Sequence, residues 1–155
     1  MSGSTMVLSA YEARTIERAL KVMEKSLVVR DVVFESPAMV RQYLSLRMFN
    51  LPHEVFMVLM LDSQNRLIEA RELFRGTVSQ TAVYPREVVK AALVANAASV
   101  ILAHNHPSGV AEASRADRML TDALKSALAT VDIAVLDHLI VAGSSTVSFA
   151  ERGWL

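Results

Sequence analysis

The run Ser99-Val100-Ile101-Leu102-Ala103-His104-Asn105-His106-Pro107-Ser108-Gly109, with Ser114-Arg115-Ala116-Asp117 shortly after it, sets the architecture of this chain. Ser99 to Ala103 reads as a short apolar strand, and the histidines stand where it ends. Residues i and i+2 of a strand point to the same face, so His104 and His106 project together while Asn105 points away. Pro107 holds His106 in extended geometry, because the residue before a proline is driven out of the helical region. His106-Pro107-Ser108-Gly109 then carries proline and glycine at the second and fourth positions of a type I turn. The chain returns through a helix from Ser114 to about Ala129, in which Met119, Leu120, Ala123, Leu124 and Leu128 are apolar. Ile133 to Val141 reads as a strand, Gly143 as a turn and Thr146 to Phe149 as a last strand. Strands alternating with helices predict a layered α/β domain.

Working outward, Ser9-Ala10-Tyr11-Glu12 is a capping box that opens a helix with Ile16, Leu20, Met23 and Leu27 on one face. Arg14, Arg18, Lys21 and Lys25 recur along that helix, but Glu12, Glu17 and Glu24 are interleaved. A solvated mixed-charge face is the reading. Ser36-Pro37 is a second helix start, carrying Val40, Tyr43 and Leu44 and ending before Pro52. His53 to Leu61 reads as a buried strand, Asp62-Ser63-Gln64-Asn65 as a turn, and Arg66 to Phe74 as its hairpin partner. Gly76 breaks that strand, and a short extended piece covers Thr77 to Val83. Pro85 opens a helix to about Asn96 that carries Val88, Val89, Ala92 and Val94 inward. The hairpin adds antiparallel pairing, so the expected sheet is mixed.

The 155 residues fit one domain with a proper core. With 52% apolar and 21% charged residues, the composition is that of a globular body. The chain has no cysteine, which excludes disulfides, thiolate zinc ligands and a thiol nucleophile. Met1-Ser2-Gly3-Ser4-Thr5-Met6 lacks the basic and apolar regions of a signal peptide, and the apolar stretch Val55 to Leu61 is too short to span a bilayer. A cytoplasmic protein without membrane association is the expectation. Net charge is zero, whereas nucleic-acid binders normally carry the basic excess that phosphate contacts require. A nucleic-acid partner is disfavoured on that ground.

Two of the four histidines stand side by side, with a carboxylate a short loop away. His104, His106 and Asp117 can take three corners of a zinc tetrahedron and leave the fourth for water, as a catalytic zinc site requires. Asp117 has a second reading, since Ser114 to Asp117 outlines a capping box with Asp in the place of Glu or Gln. The two are compatible, because the first turn of a helix is a rigid place from which to aim a ligand. Such a site also needs a general base, and spacing leaves Glu54, Glu69, Glu72 and Glu87 as candidates. Asp137-His138 lies in an apolar strand, where a satisfied structural histidine is the favoured reading and a supporting role behind the metal ligands the alternative. His53, at a strand start, reads as incidental, and the eight methionines as core.

The order His-x-His-Pro, six residues, Ser, two residues, Asp resembles the motif of the JAMM (MPN-type) zinc metallopeptidases at every defining position. The wider text resembles their RadC-like branch. Phe74-Arg75-Gly76-Thr77, Tyr84-Pro85-Arg86-Glu87-Val88, Leu102 to Gly109, Leu136-Asp137-His138 and Ser148-Phe149-Ala150-Glu151-Arg152-Gly153 all read like that family. The likeness runs from about Ser36 to the C-terminus, which suggests a helical extension over 1–35 and a metallopeptidase domain over 36–155. What precedes Ser36 reads as one helix, too short for the helical DNA-binding-like region of longer members.

The resemblance implies a three-layer α/β/α fold with a mixed sheet, related to cytidine deaminases. It implies one Zn2+ per chain bound by His104, His106 and Asp117. It places the motif glutamate on Glu54, as general base and then acid to the leaving amine, and the motif serine on Ser114, which helps hold the tetrahedral intermediate. The implied activity is hydrolysis of a peptide or isopeptide bond in a protein or peptide substrate, and a homodimer is compatible with it. Two alternatives stand beside this. One is nucleic-acid processing, after the historical DNA-repair label of the RadC-like family. The letters His-Asn-His invite confusion with HNH nucleases, but the ββα finger and basic surface of those enzymes are not evident here. The other is a non-catalytic interaction domain, against which the complete set of motif residues speaks. Deaminase chemistry is disfavoured because the Cys-x-x-Cys ligands are missing.

Overall fold

The structure is a computed structural model that describes residues 7–29, 36–76 and 83–155. Its elements are α1 (Ala10–Val29), α2 (Pro37–Met48), β1 (Glu54–Leu61), β2 (Leu67–Gly76), α3 (Pro85–Val94), β3 (Ser99–Asn105), α4 (Arg115–Ala129), β4 (Ala134–Ala142) and β5 (Ser145–Ser148). The extended piece expected over 77–82 and the side chain of Leu27 lie outside the described residues.

One five-stranded sheet runs in the order β2-β1-β3-β4-β5. β3 and β4 are parallel, joined through α4, and every other pair is antiparallel, so the sheet is mixed as expected. β1 is buried along seven of its eight residues and β3 along its whole length, which explains why both read as unbroken apolar runs. The two faces divide by strand parity. Val55, Met57, Leu59, Ile101, Ala103 and Leu139 pack with α2, and Leu20 and Met23 of α1 close over them. Phe56, Val58, Met60, Val100 and Leu102 pack with α3 and α4 on the other face. The result is the three-layer α/β/α sandwich.

Helix starts follow the local chemistry. Ser9 and Glu12 exchange the capping-box bonds, with Ser9 N–H donating to Glu12 Oε2 at 2.8 Å and Glu12 N–H to Ser9 Oγ at 3.2 Å. Pro37 and Pro85 each stand in the first turn of a helix, where the missing N–H costs nothing.

Four details depart from the sequence reading. Val94 is 74% exposed, because the buried face of α3 is set by Val88, Ala91 and Ala92, and a residue six places after Val88 falls off it. Met119 and Ala123 are likewise exposed on α4, whose buried stripe runs through Leu120, Leu124 and Leu128 at four-residue spacing. β2 continues through Gly76, which pairs with Glu54. Glu24 does not belong to a solvated face. It accepts hydrogen bonds from Tyr43 at 2.8 Å and Arg47 at 2.7 Å, and so ties α1 to α2. Burial and that carboxylate push the Tyr43 hydroxyl well above its ordinary range. No described helix is long and apolar enough to cross a membrane.

Candidate metal centre

His104 sits in the last turn of the β3 ladder and is 1% exposed, on the sheet face that carries Phe56 and α4. His106 follows two residues later, its N–H donating to Val141 O at 2.8 Å, so strand-like bonding continues past the end of β3. The next residues make the expected turn: Gly109 N–H donates to His106 O at 3.0 Å, with Gly109 at φ +81°, a conformation glycine adopts without strain. Asp117 enters from the first turn of α4. Its carboxylate accepts the Ser114 N–H at 2.8 Å while Ser114 Oγ accepts the Asp117 N–H at 3.0 Å. The capping box and the candidate ligand are therefore one residue with two duties.

The three side chains converge. His104 Nε2 and His106 Nε2 are 2.9 Å apart, His104 Nε2 lies 3.2 Å from Asp117 Oδ1, and His106 Nε2 lies 3.4 Å from Asp117 Oδ2. One donor atom from each lies within 4.8 Å of the others, so this group could hold a metal ion. The donor chemistry fits. His106 Nδ1 is 3.0 Å from the Val110 carbonyl oxygen, which can only accept, so Nδ1 carries the hydrogen and Nε2 keeps its lone pair. An imidazole lone pair, a second imidazole and a carboxylate aimed at one point call for a cation between them.

The electrostatics agree. Burial pushes the Asp117 carboxyl up, but the adjoining His104 and His106 rings and the hydrogen bond from the Ser114 backbone outweigh it and hold the group well below the usual carboxylate range. The adjoining Asp117 carboxylate, which favours a protonated ring, raises His106 above its ordinary value, with a smaller contribution from the charge of Glu54.

Glu54 opens β1 between β2 and β3. Phe56 pairs with His104, and Glu54, two residues before Phe56 and so on the same face of β1, is close enough for its charge to act on His106. Glu69 and Glu72 belong elsewhere, bonded to Arg71 at 2.8 Å and to Arg75 at 2.6 Å on β2, and Glu87 lies near Arg86 on α3. Asn105, read only as pointing away, brackets Glu54 from behind. Its Oδ1 accepts the Val55 N–H at 2.7 Å and its Nδ2 donates to His53 O at 2.9 Å, fixing the backbone on both sides of the glutamate. His53 supplies that carbonyl, while its Nε2 is buried with no hydrogen-bond partner.

At His138 the geometry agrees with the alternative reading rather than with the favoured, structural one. Its Nε2 is 2.7 Å from His104 Nδ1, so it touches a candidate ligand directly. Its Nδ1 is 2.6 Å from Thr121 Oγ1, a residue the sequence reading passed over. A polar side chain on the buried stripe of α4, four residues after Asp117, was the available signal. On its other side His106 forms part of the wall of an open cavity of about 560 Å³, shared with Phe49, Leu51, Pro52, Pro107 and Ser144.

Comparison with known proteins bears on this arrangement. Residues 34–154 match the family model described as RadC-like JAB domain. The chain is similar to the UPF0758 protein of Methylibium petroleiphilum, at 56% identity over 99% of this chain and 70% of that relative. It is similar to the UPF0758 protein of Aromatoleum aromaticum at 68% identity over 90% of the chain and 62% of the relative. For the Vibrio cholerae relative the figures are 56%, 94% and 91%. The shared name states no activity.

Proposed function

The chain belongs to the RadC-like JAB domain family, and from that premise we propose that it is a zinc-dependent hydrolase of amide bonds in peptides or proteins. One observation supports the reading: donor atoms of His104, His106 and Asp117 lie together, and Glu54 is close enough for its charge to act on His106. Zinc held by these three residues would polarise a substrate carbonyl and bring the pKa of water toward neutrality.

The chain's own groups do the rest. Glu54 accepts a proton from water as the new carbon–oxygen bond forms, then returns it to the amide nitrogen as the carbon–nitrogen bond breaks, so the amine leaves neutral. Ser114 Oγ uses a lone pair for the Asp117 N–H, which leaves its own hydrogen to donate to the carbonyl oxygen as negative charge develops there. Asn105 holds the strand under Glu54, and Val110 holds the His106 ring. The cavity beside His106, with walls from Phe49, Leu51 and Pro52, offers room for an apolar side chain of the substrate.

The test is cleavage of an unbiased peptide library by the zinc-loaded chain with Glu54→Gln as control. Cleavage that falls by about 10²–10⁴-fold in the variant, at unchanged zinc content, is the expected result. Full activity in Glu54→Gln refutes the assignment of the base. Metal-dependent cleavage of DNA that disappears in His106→Ala refutes the amide reading.

A further inference from the structure

We propose that His138 and Thr121 form a positioning relay that fixes which nitrogen of His104 carries its hydrogen, so that Nε2 always presents a lone pair to the metal. The proposal rests on the metal reading of His104, His106 and Asp117, and its subject is a pair of residues outside that ligand set.

The hydrogens can be counted along the chain of contacts from one end. Thr121 Oγ1 lies 2.7 Å from the Asp117 carbonyl oxygen. A carbonyl only accepts, so the single hydroxyl hydrogen points there. Thr121 Oγ1 also lies 2.6 Å from His138 Nδ1. With its hydrogen committed, the hydroxyl can only accept at this contact, so Nδ1 of His138 is the donor. His138 is fully buried between the rings of Phe149 and Phe56, an apolar setting that disfavours a charged imidazolium, so it carries one ring hydrogen. That hydrogen is on Nδ1, so Nε2 is an acceptor. His138 Nε2 is 2.7 Å from His104 Nδ1, which must therefore donate. A neutral His104 then has its remaining lone pair on Nε2, the atom that faces His106 and Asp117. Each step follows from the one before, and the starting point is a main-chain carbonyl that cannot change role.

The relay begins and ends on candidate ligand residues. It starts at the backbone of Asp117 on α4, crosses to β4 and finishes on β3, so one line of hydrogen bonds sets the spacing of the helix and strand that supply two of the three ligands. The ring of His138 is held for this purpose. Phe149 stacks on it at 4.6 Å and 29°, and Phe56 meets it edge-on at 5.8 Å. Asp137 fixes its backbone: Oδ1 accepts the N–H groups of His138 at 2.7 Å and Ala150 at 3.0 Å, while Oδ2 accepts Ser148 Oγ at 2.6 Å. A histidine needed only for packing would require Phe149 and Phe56 but neither ring nitrogen.

Three variants of the full chain separate the two roles. His138→Phe keeps a ring between Phe149 and Phe56 and deletes both nitrogens. His138→Gln keeps one acceptor and one donor on a single side chain. Thr121→Val removes the hydroxyl at nearly constant volume. Zinc affinity is read by chelator competition, and folding by circular dichroism and a thermal melt. The relay requires affinity to fall about 10–100-fold in His138→Phe, the usual cost of losing a group that orients a metal ligand. Thr121→Val should weaken zinc in the same direction, and His138→Gln should restore affinity close to the parent chain. Imidazole ¹⁵N spectra of the parent chain supply a second readout, with the hydrogen of His138 on Nδ1 and that of zinc-loaded His104 on Nδ1.

A folded His138→Phe with parental affinity overturns the proposal, as does His138→Gln binding no better than His138→Phe. If His138→Phe does not fold, Thr121→Val with undiminished affinity has the same force. A hydrogen on His138 Nε2 overturns it in either metal state. A parent chain that takes up no zinc instead refutes the metal reading, and the spectra of the zinc-free chain still decide the relay.

Discussion

Replacing Asn105 by alanine isolates the one side chain that holds the backbone on both sides of Glu54. Asn105 is 2% exposed, and its amide accepts the Val55 N–H at 2.7 Å and donates to His53 O at 2.9 Å. The first partner is buried, so its loss leaves an N–H without water or protein, at a cost of about 1–3 kcal/mol. The second is only partly buried, and solvent can replace the donor, so the net loss there is about 0.5–1.5 kcal/mol. The total expected destabilisation is about 1.5–4.5 kcal/mol. At about 2–4 °C per kcal/mol for a domain of this size, the zinc-free variant should melt roughly 3–18 °C lower. Urea denaturation of the zinc-free variant measures the stability change directly, with an unchanged m-value showing that the denatured state is not the cause. The proposed hydrolysis by the folded, zinc-loaded variant should also fall, because the backbone on both sides of Glu54 loses its anchor. A stability change below about 1 kcal/mol would refute the reasoning, since it would mean that neither backbone group depends on this amide.

Other outcomes follow from the same geometry. The double variant His104→Ala, His106→Ala should lose the single zinc expected per chain, and metal analysis showing unchanged zinc content would remove the site from consideration. Zinc affinity should fall on acidification, because a protonated imidazole has no lone pair to give. Asp117 holds His106 above its ordinary 6.5, so the decline should begin above that value, and affinity that stays flat from about pH 8 to about pH 6 refutes it. Ser114→Ala removes both the cap of α4 and the hydroxyl facing the proposed reaction. It should cost about 1 kcal/mol in denaturant unfolding and lower turnover at constant zinc content, and a variant with full turnover excludes Ser114 from the chemistry.

What the sequence made legible was local. The strand ending at His104, the turn through Gly109 and the cap at Ser114 are each specified within a few residues. Their sum was enough to bring His104, His106 and Asp117 together. The hairpin around Asp62 to Asn65 and the alternation of faces along β1 were readable for the same reason. What stayed hidden depends on partners far along the chain. Asn105 bonds to residues 50 and 52 positions away, His138 to His104 across 34, and Glu24 to Tyr43 and Arg47 across 19 and 23. Polar side chains buried by tertiary pairing leave no periodicity, so Asn105 read as merely turned away and the structural reading of His138 was favoured over a supporting one. Val94 misled for a different reason: it is apolar, but the narrow buried face of α3 has no place for it.

The placement of Asp117 has an electrostatic consequence for the whole site. The N-terminus of α4 carries the positive end of the helix dipole, roughly half an elementary charge, and a dication is disfavoured beside it. A carboxylate in the first turn reverses that field, and here it is the carboxylate that both caps the helix and turns an oxygen toward each histidine. The C-terminal segment supports the opposite side. Trp154 N–H donates to Phe149 O at 2.9 Å and its ring meets Phe149 edge-on at 5.2 Å, while Phe149 N–H donates to His138 O at 2.9 Å. Tryptophan thus backs phenylalanine, phenylalanine backs His138, and His138 contacts His104. The segment carrying Ser148, Phe149 and Trp154, which offers none of the three candidate ligands, is bound to the site through that stack.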